Sequence, residues 1–213
     1  MENRIKKVAV LGAGTMGAQI AGHFSNAGIS ALLFDINSDL AKKGVEALTK
    51  LRPAPLYKPK NAELITACTY DTDLEKLKDV DLVIEAVAEN LDIKHTVYKN
   101  IIPHLKDSVI MSSNTSGIPL EDLIKVLPDS LKSRFLITHF FNPPRYMRLL
   151  ELVKGPKTDK SVYETLSLLG QNILGKGIVH AKDTPNFIGN RIGVHGANNA
   201  IKLAIDMGLS VEE

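Results

Sequence analysis

The chain has 213 residues, 44% hydrophobic and 23% charged, the proportions of a globular protein rather than a disordered or fibrous one. A chain of this length buries enough surface to fold without disulfides or metals, and 26 basic against 24 acidic side chains (+2) give little electrostatic support to a nucleic-acid partner. The single cysteine, Cys68, excludes an internal disulfide framework and fits a reducing, cytoplasmic setting, and no apolar run approaches the roughly 20 residues of a membrane span.

Basic residues ahead of Val8–Leu11 resemble the opening of a secretion signal, but glycines break the run at intervals that such a signal has no use for. Lys6–Leu11 reads instead as a buried parallel strand that stops at glycine. Gly12-Ala13-Gly14-Thr15-Met16-Gly17 then spells G-x-G-x-x-G, and Ala18, Ile20, Ala21 and Phe24 follow at helical spacing. Gly12 permits the tight turn, Gly14 lets the backbone approach a pyrophosphate, and Gly17 lets helix and strand pack closely. The helix start offers free N–H groups and a positive dipole end to phosphates.

A second strand, Ser30–Phe34, runs into Asp35 about 20 residues beyond the glycines, where the ribose-binding acid of a dinucleotide fold belongs. With Ile36, Asn37 and Ser38 behind it and no arginine, Asp35 favours NAD over NADP; the plain alternative is a turn acid. Ser38 is a candidate N-cap for a helix to about Lys50, and three prolines make 52–60 a loop. Strand patterns then recur at Ala67–Tyr70, Asp81–Val87, Val109–Ser113, Arg134–Phe141, Leu149–Val153 and Gly177–His180. Helical patterns lie between them at Asp92–Leu105, Pro119–Leu127 and Asp159–Leu174. This alternation predicts an α/β fold, a doubly wound, Rossmann-type, mostly parallel sheet.

After Asp183-Thr184-Pro185-Asn186 one long helix is expected, Phe187 to about Met207, apolar on several sides. The predicted organisation is therefore a nucleotide-binding domain over 1–184. The start of a helical second domain follows over 185–213, with Gly208–Glu213 reading as a helix end and the beginning of another helix. The chain is expected to be truncated there, and its last helix to seek a partner.

Ligands of open parallel sheets bind at the carboxyl ends of the strands. Strand four ends near Glu85, with Glu89, Asn90 and Lys94 just beyond, and strand five ends in the polar run Ser112-Ser113-Asn114-Thr115-Ser116-Gly117. Caps and turns explain part of that run but not all of it. In Thr138-His139-Phe140-Phe141-Asn142-Pro143 and Leu149-Leu150-Glu151, two adjacent strands would let His139 face Glu151. A carboxylate on one imidazole nitrogen leaves the other as a base near neutrality, suited to taking an alcohol proton as hydride leaves for NAD. A satisfied core histidine is the competing reading. Lys42, Lys43, Lys50, Arg52, Lys58 and Lys60 form a basic group that fits either a solvated helix face or a phosphate-binding rim.

These residues lie in the segments GAGTMGAQIA, DLVIEAVAEN, SSNTSG, THFFNPP with LLELV, and KDTPNFIGNR. From Lys6 to its end the chain closely resembles the NAD-binding domain of the L-3-hydroxyacyl-CoA dehydrogenases of fatty-acid β-oxidation. The proline loop and FNPPRYMRLLEL are most similar to large multifunctional oxidation proteins that carry an enoyl-CoA hydratase. The resemblance implies NAD as cofactor, an acyl-CoA substrate, no metal, and a homodimer formed through the helical region. It implies His139 as base with Glu151 its partner, Ser116 and Asn190 holding the substrate, and Asn142 near the reacting carbon. Cofactor contacts are implied for Gly12, Gly14, Thr15, Met16, Gly17, Asp35, Glu89, Lys94 and Asn114. Arg145 departs from the family pattern, which often has a second proline there, so acyl-chain preference does not carry over. A non-catalytic NAD-binding module and a dehydrogenase of a free hydroxy acid are the other readings; sensing NAD would not need His139, Glu151, Asn142 and Asn190 together.

Overall fold

A computed structural model describes residues 5–210. Its strands are β1 (Lys7–Leu11), β2 (Ser30–Asp35), β3 (Ile65–Thr69), β4 (Leu82–Glu85), β5 (Ile110–Ser113), β6 (Phe135–Phe140), β7 (Leu149–Lys154) and β8 (Gly177–Ala181). The helices are α1 (Thr15–Asn26), α2 (Ser38–Lys50), α3 (Leu91–Ile101), α4 (Leu120–Leu123), α5 (Asp129–Lys132), α6 (Lys160–Leu168) and α7 (Gly189–Asp206). The strands form one sheet in the order β3-β2-β1-β4-β5-β6-β7-β8. The chain winds outward from β1 in one direction and then from β4 in the other, so the expected doubly wound sheet is present.

Both faces of the sheet are covered, because successive side chains of a strand point to opposite sides. Val8 and Val10 of β1 join one apolar cluster with Phe24 and Leu33. Ala9 and Leu11 join the other with Phe34, Tyr98 and Phe135. A strand buried on both faces is mostly apolar, and this explains the runs Val8–Leu11 in β1, Ala31–Phe34 in β2 and Leu82–Ile84 in β4, which Glu85 closes. Every neighbouring pair is parallel except β6–β7. The connection 141–148 is too short for the crossover that a parallel pair requires. The antiparallel register therefore pairs His139 with Glu151 directly.

Several boundaries differ from expectation. Asn37, not Ser38, caps α2, its side chain accepting from Leu40 N–H at 2.9 Å. β4 stops at Glu85, where the Glu85 carboxylate takes the Val87 N–H. The helix beginning at Leu91 ends at Ile101 and tightens into a 3₁₀ turn through Pro103; the one beyond Pro119 is α-helical only over Leu120–Leu123. α6 widens into a π-helical turn from Leu169 to Ile173. α7 begins at Gly189 because Asn186 and Phe187 hold left-handed φ angles of 63° and 47°, incompatible with a helix there. Gly208, at φ 71°, marks the end of α7; the further helix start expected toward Glu213 falls partly on 211–213, outside the described residues.

Candidate active site

Gly12 leaves β1 at φ 102°, and a Cβ there would stand 2.6 Å from the Ala86 carbonyl oxygen. A Cβ on Gly17 would lie 1.8 Å from the Gly12 oxygen, so its main work is to clear the turn and only secondarily to let α1 approach β1. Gly14 differs: nothing stands within 4 Å of where its Cβ would be. It is the N-cap of α1 without a side-chain cap, and Thr15 and Met16 form the first turn beside it. The carboxylate of Asp35 braces this turn, Oδ2 accepting from Ala13 N–H at 2.6 Å and Oδ1 from Ile36 N–H at 2.7 Å.

The ends of β4 and β5 are tied together by charge. Lys94, whose side chain is 1% exposed, donates to Glu85 at 2.7 Å and pairs with Glu89 at 3.1 Å. The expectation that Lys94 contacts a cofactor thus meets a buried ammonium committed to two carboxylates. Glu89 also accepts from the Thr115 hydroxyl (2.5 Å) and the Ser116 N–H (2.9 Å). Burial pushes the Glu89 carboxyl up, but the Thr115 hydrogen bond and the Lys94 charge outweigh it and hold the group below its ordinary range. Burial and the neighbouring Glu85 carboxylate push the Tyr98 phenol well above its own. Asn114 links three strands, its N–H donating to the Glu85 carbonyl and its Oδ1 accepting from Phe140 N–H at 2.9 Å.

At the same edge of the sheet, His139 Nδ1 lies 2.7 Å from Glu151 Oε2, both side chains buried. A carboxylate only accepts, so Nδ1 carries the proton and Nε2 is left with a lone pair. Glu151 Oε1 accepts from Ile188 N–H (3.0 Å) and Gly189 N–H (2.7 Å), which anchors the start of α7 and with it Asn190. Phe141 and Phe187 flank the imidazole with ring centroids at 4.5 and 5.6 Å. Asn142, exposed at the end of β6, accepts from Gln19 of α1 at 3.3 Å. Most of the expected residues thus lie at the carboxyl ends of β1, β2, β4, β5 and β6, with Glu151 on β7, Lys94 on α3 and Asn190 in the first turn of α7.

Three residues outside the expected site set contribute to its architecture, Glu85 and Arg145 standing out in the sequence only as a strand end and a departure from the family pattern. Glu85, an acid inside an apolar strand, is fully buried and organises Lys94, Tyr98 and Ser113; a charge within DLVIEAV was the available signal. Lys176, which looks like a turn residue between two glycines, is buried and donates to the carbonyls of Pro144 and Met147. Burial lowers its amine to about 8. Arg145 donates to the carbonyls of Ala54 and Leu56 at 2.6 and 2.8 Å and lies over the Tyr57 ring. These two cations fix the loop that carries Asn142, and nothing in their sequence neighbourhood announces it.

Residues 7–184 match the family described as 3-hydroxyacyl-CoA dehydrogenase, NAD binding domain. The chain belongs to this family. Its cofactor is NAD, and the site fits it: the open space at Gly14, the uncapped start of α1 and the Asp35 carboxylate suit a pyrophosphate and a ribose. Within the family, the chain is 45% identical to a Deinococcus radiodurans protein named as a probable 3-hydroxyacyl-CoA dehydrogenase, covering 99% of this chain and 63% of that one. A Bacillus subtilis (strain 168) protein of the same name is 41% identical and covers all of this chain, which spans 30% of it. The solved (S)-3-hydroxybutyryl-CoA dehydrogenase PaaH1 from Ralstonia eutropha superposes with a TM-score of 0.83 at 33% identity, over 98% of this chain and 74% of that one. The chain therefore spans less than two thirds of these two curated relatives. Among the described residues, no helix is long and apolar enough to cross a membrane.

Proposed function

We propose that the full-length protein oxidises (S)-3-hydroxyacyl-CoA to 3-ketoacyl-CoA with NAD, reversibly, in fatty-acid β-oxidation. The observation that carries this reading is the buried His139–Glu151 pair beside the dinucleotide cleft. When bound, NAD supplies the hydride acceptor. His139 Nε2 takes the hydroxyl proton, while Glu151 keeps Nδ1 protonated, orients the ring and stabilises the imidazolium that results. Phe141 and Phe187 keep water from the ring edges. Ser116 and Asn190 hold the substrate oxygen, and Asn142 stands near the reacting carbon. Glu89, Asn114, Asp35 and the glycine turn hold the cofactor, with Lys94 acting through Glu89. A non-catalytic NAD-binding module would have no use for this pair.

On the same reading, residues 1–184 are the nucleotide-binding domain, and 185–213 begin a helical domain that forms a homodimer. Ile192, Ile201, Leu203 and Ile205 of α7 offer apolar surface for this. Fusion to an enoyl-CoA hydratase is supported by a Rickettsia felis relative whose name is that of a fatty acid oxidation complex trifunctional enzyme. It is 48% identical over 91% of this chain and 28% of its own length. We place the protein in the cytoplasm, on the strength of its single free cysteine.

Following NADH loss with acetoacetyl-CoA in the full-length protein tests the activity. Turnover is expected with the CoA thioester and not with free acetoacetate. No turnover, or equal rates with both, overturns the substrate class.

A further inference from the structure

Glu85 stands at the end of β4, 0% exposed, and its carboxylate accepts four hydrogen bonds. Oε1 takes Val87 N–H at 2.8 Å and Lys94 Nζ at 2.7 Å. Oε2 takes Tyr98 OH at 2.9 Å and Ser113 Oγ at 2.6 Å. Lys94 then spans from this buried carboxylate to Glu89, whose side chain is 44% exposed at the cleft. Glu89 Oε1 in turn accepts from Thr115 Oγ1, from Ser116 N–H and, at 3.4 Å, from Ser116 Oγ. A continuous carboxylate–ammonium–carboxylate line thus runs from the core to the loop after β5.

A buried ion pair is an expensive way to stabilise a fold, because removing both charges from water costs about what their attraction returns. Replacing such a pair with neutral side chains of similar shape is often neutral for stability. Its value here is directional. An exposed glutamate left alone samples many rotamers, and fixing it costs side-chain entropy. Lys94 holds one Glu89 oxygen from below, so the other is presented to Thr115 and Ser116. Lys94 can do this only while Glu85 anchors and neutralises it inside the protein.

We propose that Glu85 is a positioning residue of the dehydrogenase. Through Lys94 it fixes Glu89, and through Glu89 it sets where Ser116 stands in the cleft. The kinetic consequence rests on the role proposed above for Ser116; the placement of Ser116 does not.

The test is a Glu85→Gln/Lys94→Met double variant of the full-length protein, with Tyr98→Phe as control. The double variant removes both charges together and keeps much of the shape. Tyr98→Phe removes a hydrogen bond to Glu85 but leaves the line to Glu89 intact. The double variant is expected to unfold at close to the wild-type temperature. Its Ser116 amide should exchange hydrogen about tenfold faster or more, and kcat with acetoacetyl-CoA and NADH should fall by about tenfold to a hundredfold, as misplaced groups do. Tyr98→Phe should leave Ser116 exchange and kcat as in wild type. Wild-type exchange and kcat in the double variant would overturn the proposal, as would the same losses in Tyr98→Phe. A double variant that fails to fold while Tyr98→Phe folds would make the pair a stability element and also overturn it. If the wild-type protein has no turnover, the activity reading falls, while Ser116 exchange still decides the role of Glu85.

Discussion

Glu151 binds the His139 imidazole through one oxygen at 2.7 Å and the backbone of Ile188 and Gly189 through the other. One carboxylate therefore orients the imidazole proposed as the base and fixes the start of α7 together. His139→Gln, which fills the space without supplying a base, should lower kcat about 10²- to 10⁴-fold and leave NADH affinity within a few-fold of wild type. Glu151→Gln should lower kcat similarly and also expose the segment 183–189 to limited proteolysis, because its amide cannot accept from both sides. Steady-state kinetics and NADH titration check the first, and a protease time course the second.

The glycines of the turn should fail in different ways. Gly17→Ala puts a methyl 1.8 Å from the Gly12 oxygen, so it should destabilise the domain severely, seen as a large drop in unfolding temperature. Gly14→Ala meets no atom within 4 Å and keeps an allowed backbone, φ −66° and ψ −175°. It should fold normally and bind NADH roughly tenfold or more weakly, since its methyl enters the space proposed above for the pyrophosphate.

Asp35 ends β2 with its carboxylate against the glycine turn, and on the cofactor role proposed for it Asp35→Arg exchanges a group that repels a 2′-phosphate for one that attracts it. The ratio of kcat/KM for NAD over NADP should fall by an order of magnitude or more. An unchanged ratio would remove Asp35 from the cofactor assignment.

His23 gives a stability signature with a definite sign. Burial first, and then the charge of Lys176, lower its pKa from 6.5 to about 4. As pH falls through that interval the unfolded chain takes up a proton that the folded protein refuses, so stability falls. The loss is about 3 kcal/mol when the interval has been crossed. Urea unfolding at pH 7 and pH 4 should show this difference in wild type and a smaller one in His23→Gln.

The sheet was legible because its information is local. Two-sided burial makes the centres of β1, β2 and β4 apolar runs, and G-x-G-x-x-G followed by an acid at the tip of β2 needs no knowledge of the rest of the chain. Helix ends were read less well. The stop of α3 before Pro103 and the late start of α7 depend on how short segments settle against neighbours. Lys94 shows the limit most plainly: its position along the chain suggested a group facing the cleft, whereas its side chain turns inward to Glu85.

By itself the sequence determined the doubly wound sheet, the dinucleotide turn, the acid at Asp35 and the candidates His139 and Glu151, since each rests on residue type and short-range spacing. Only the tertiary structure decided that β6 and β7 are antiparallel neighbours in the register that joins His139 to Glu151. It alone routed Glu85 through Lys94 to Glu89, and pinned the Asn142 loop with Lys176 and Arg145. Arg145 and Ala54 stand 91 positions apart in the chain, whereas Glu85 and Lys94 are only 9 apart and meet because the lysine side chain turns inward. A charge buried without a partner is too costly to persist, yet sequence spacing does not say which partner will meet it.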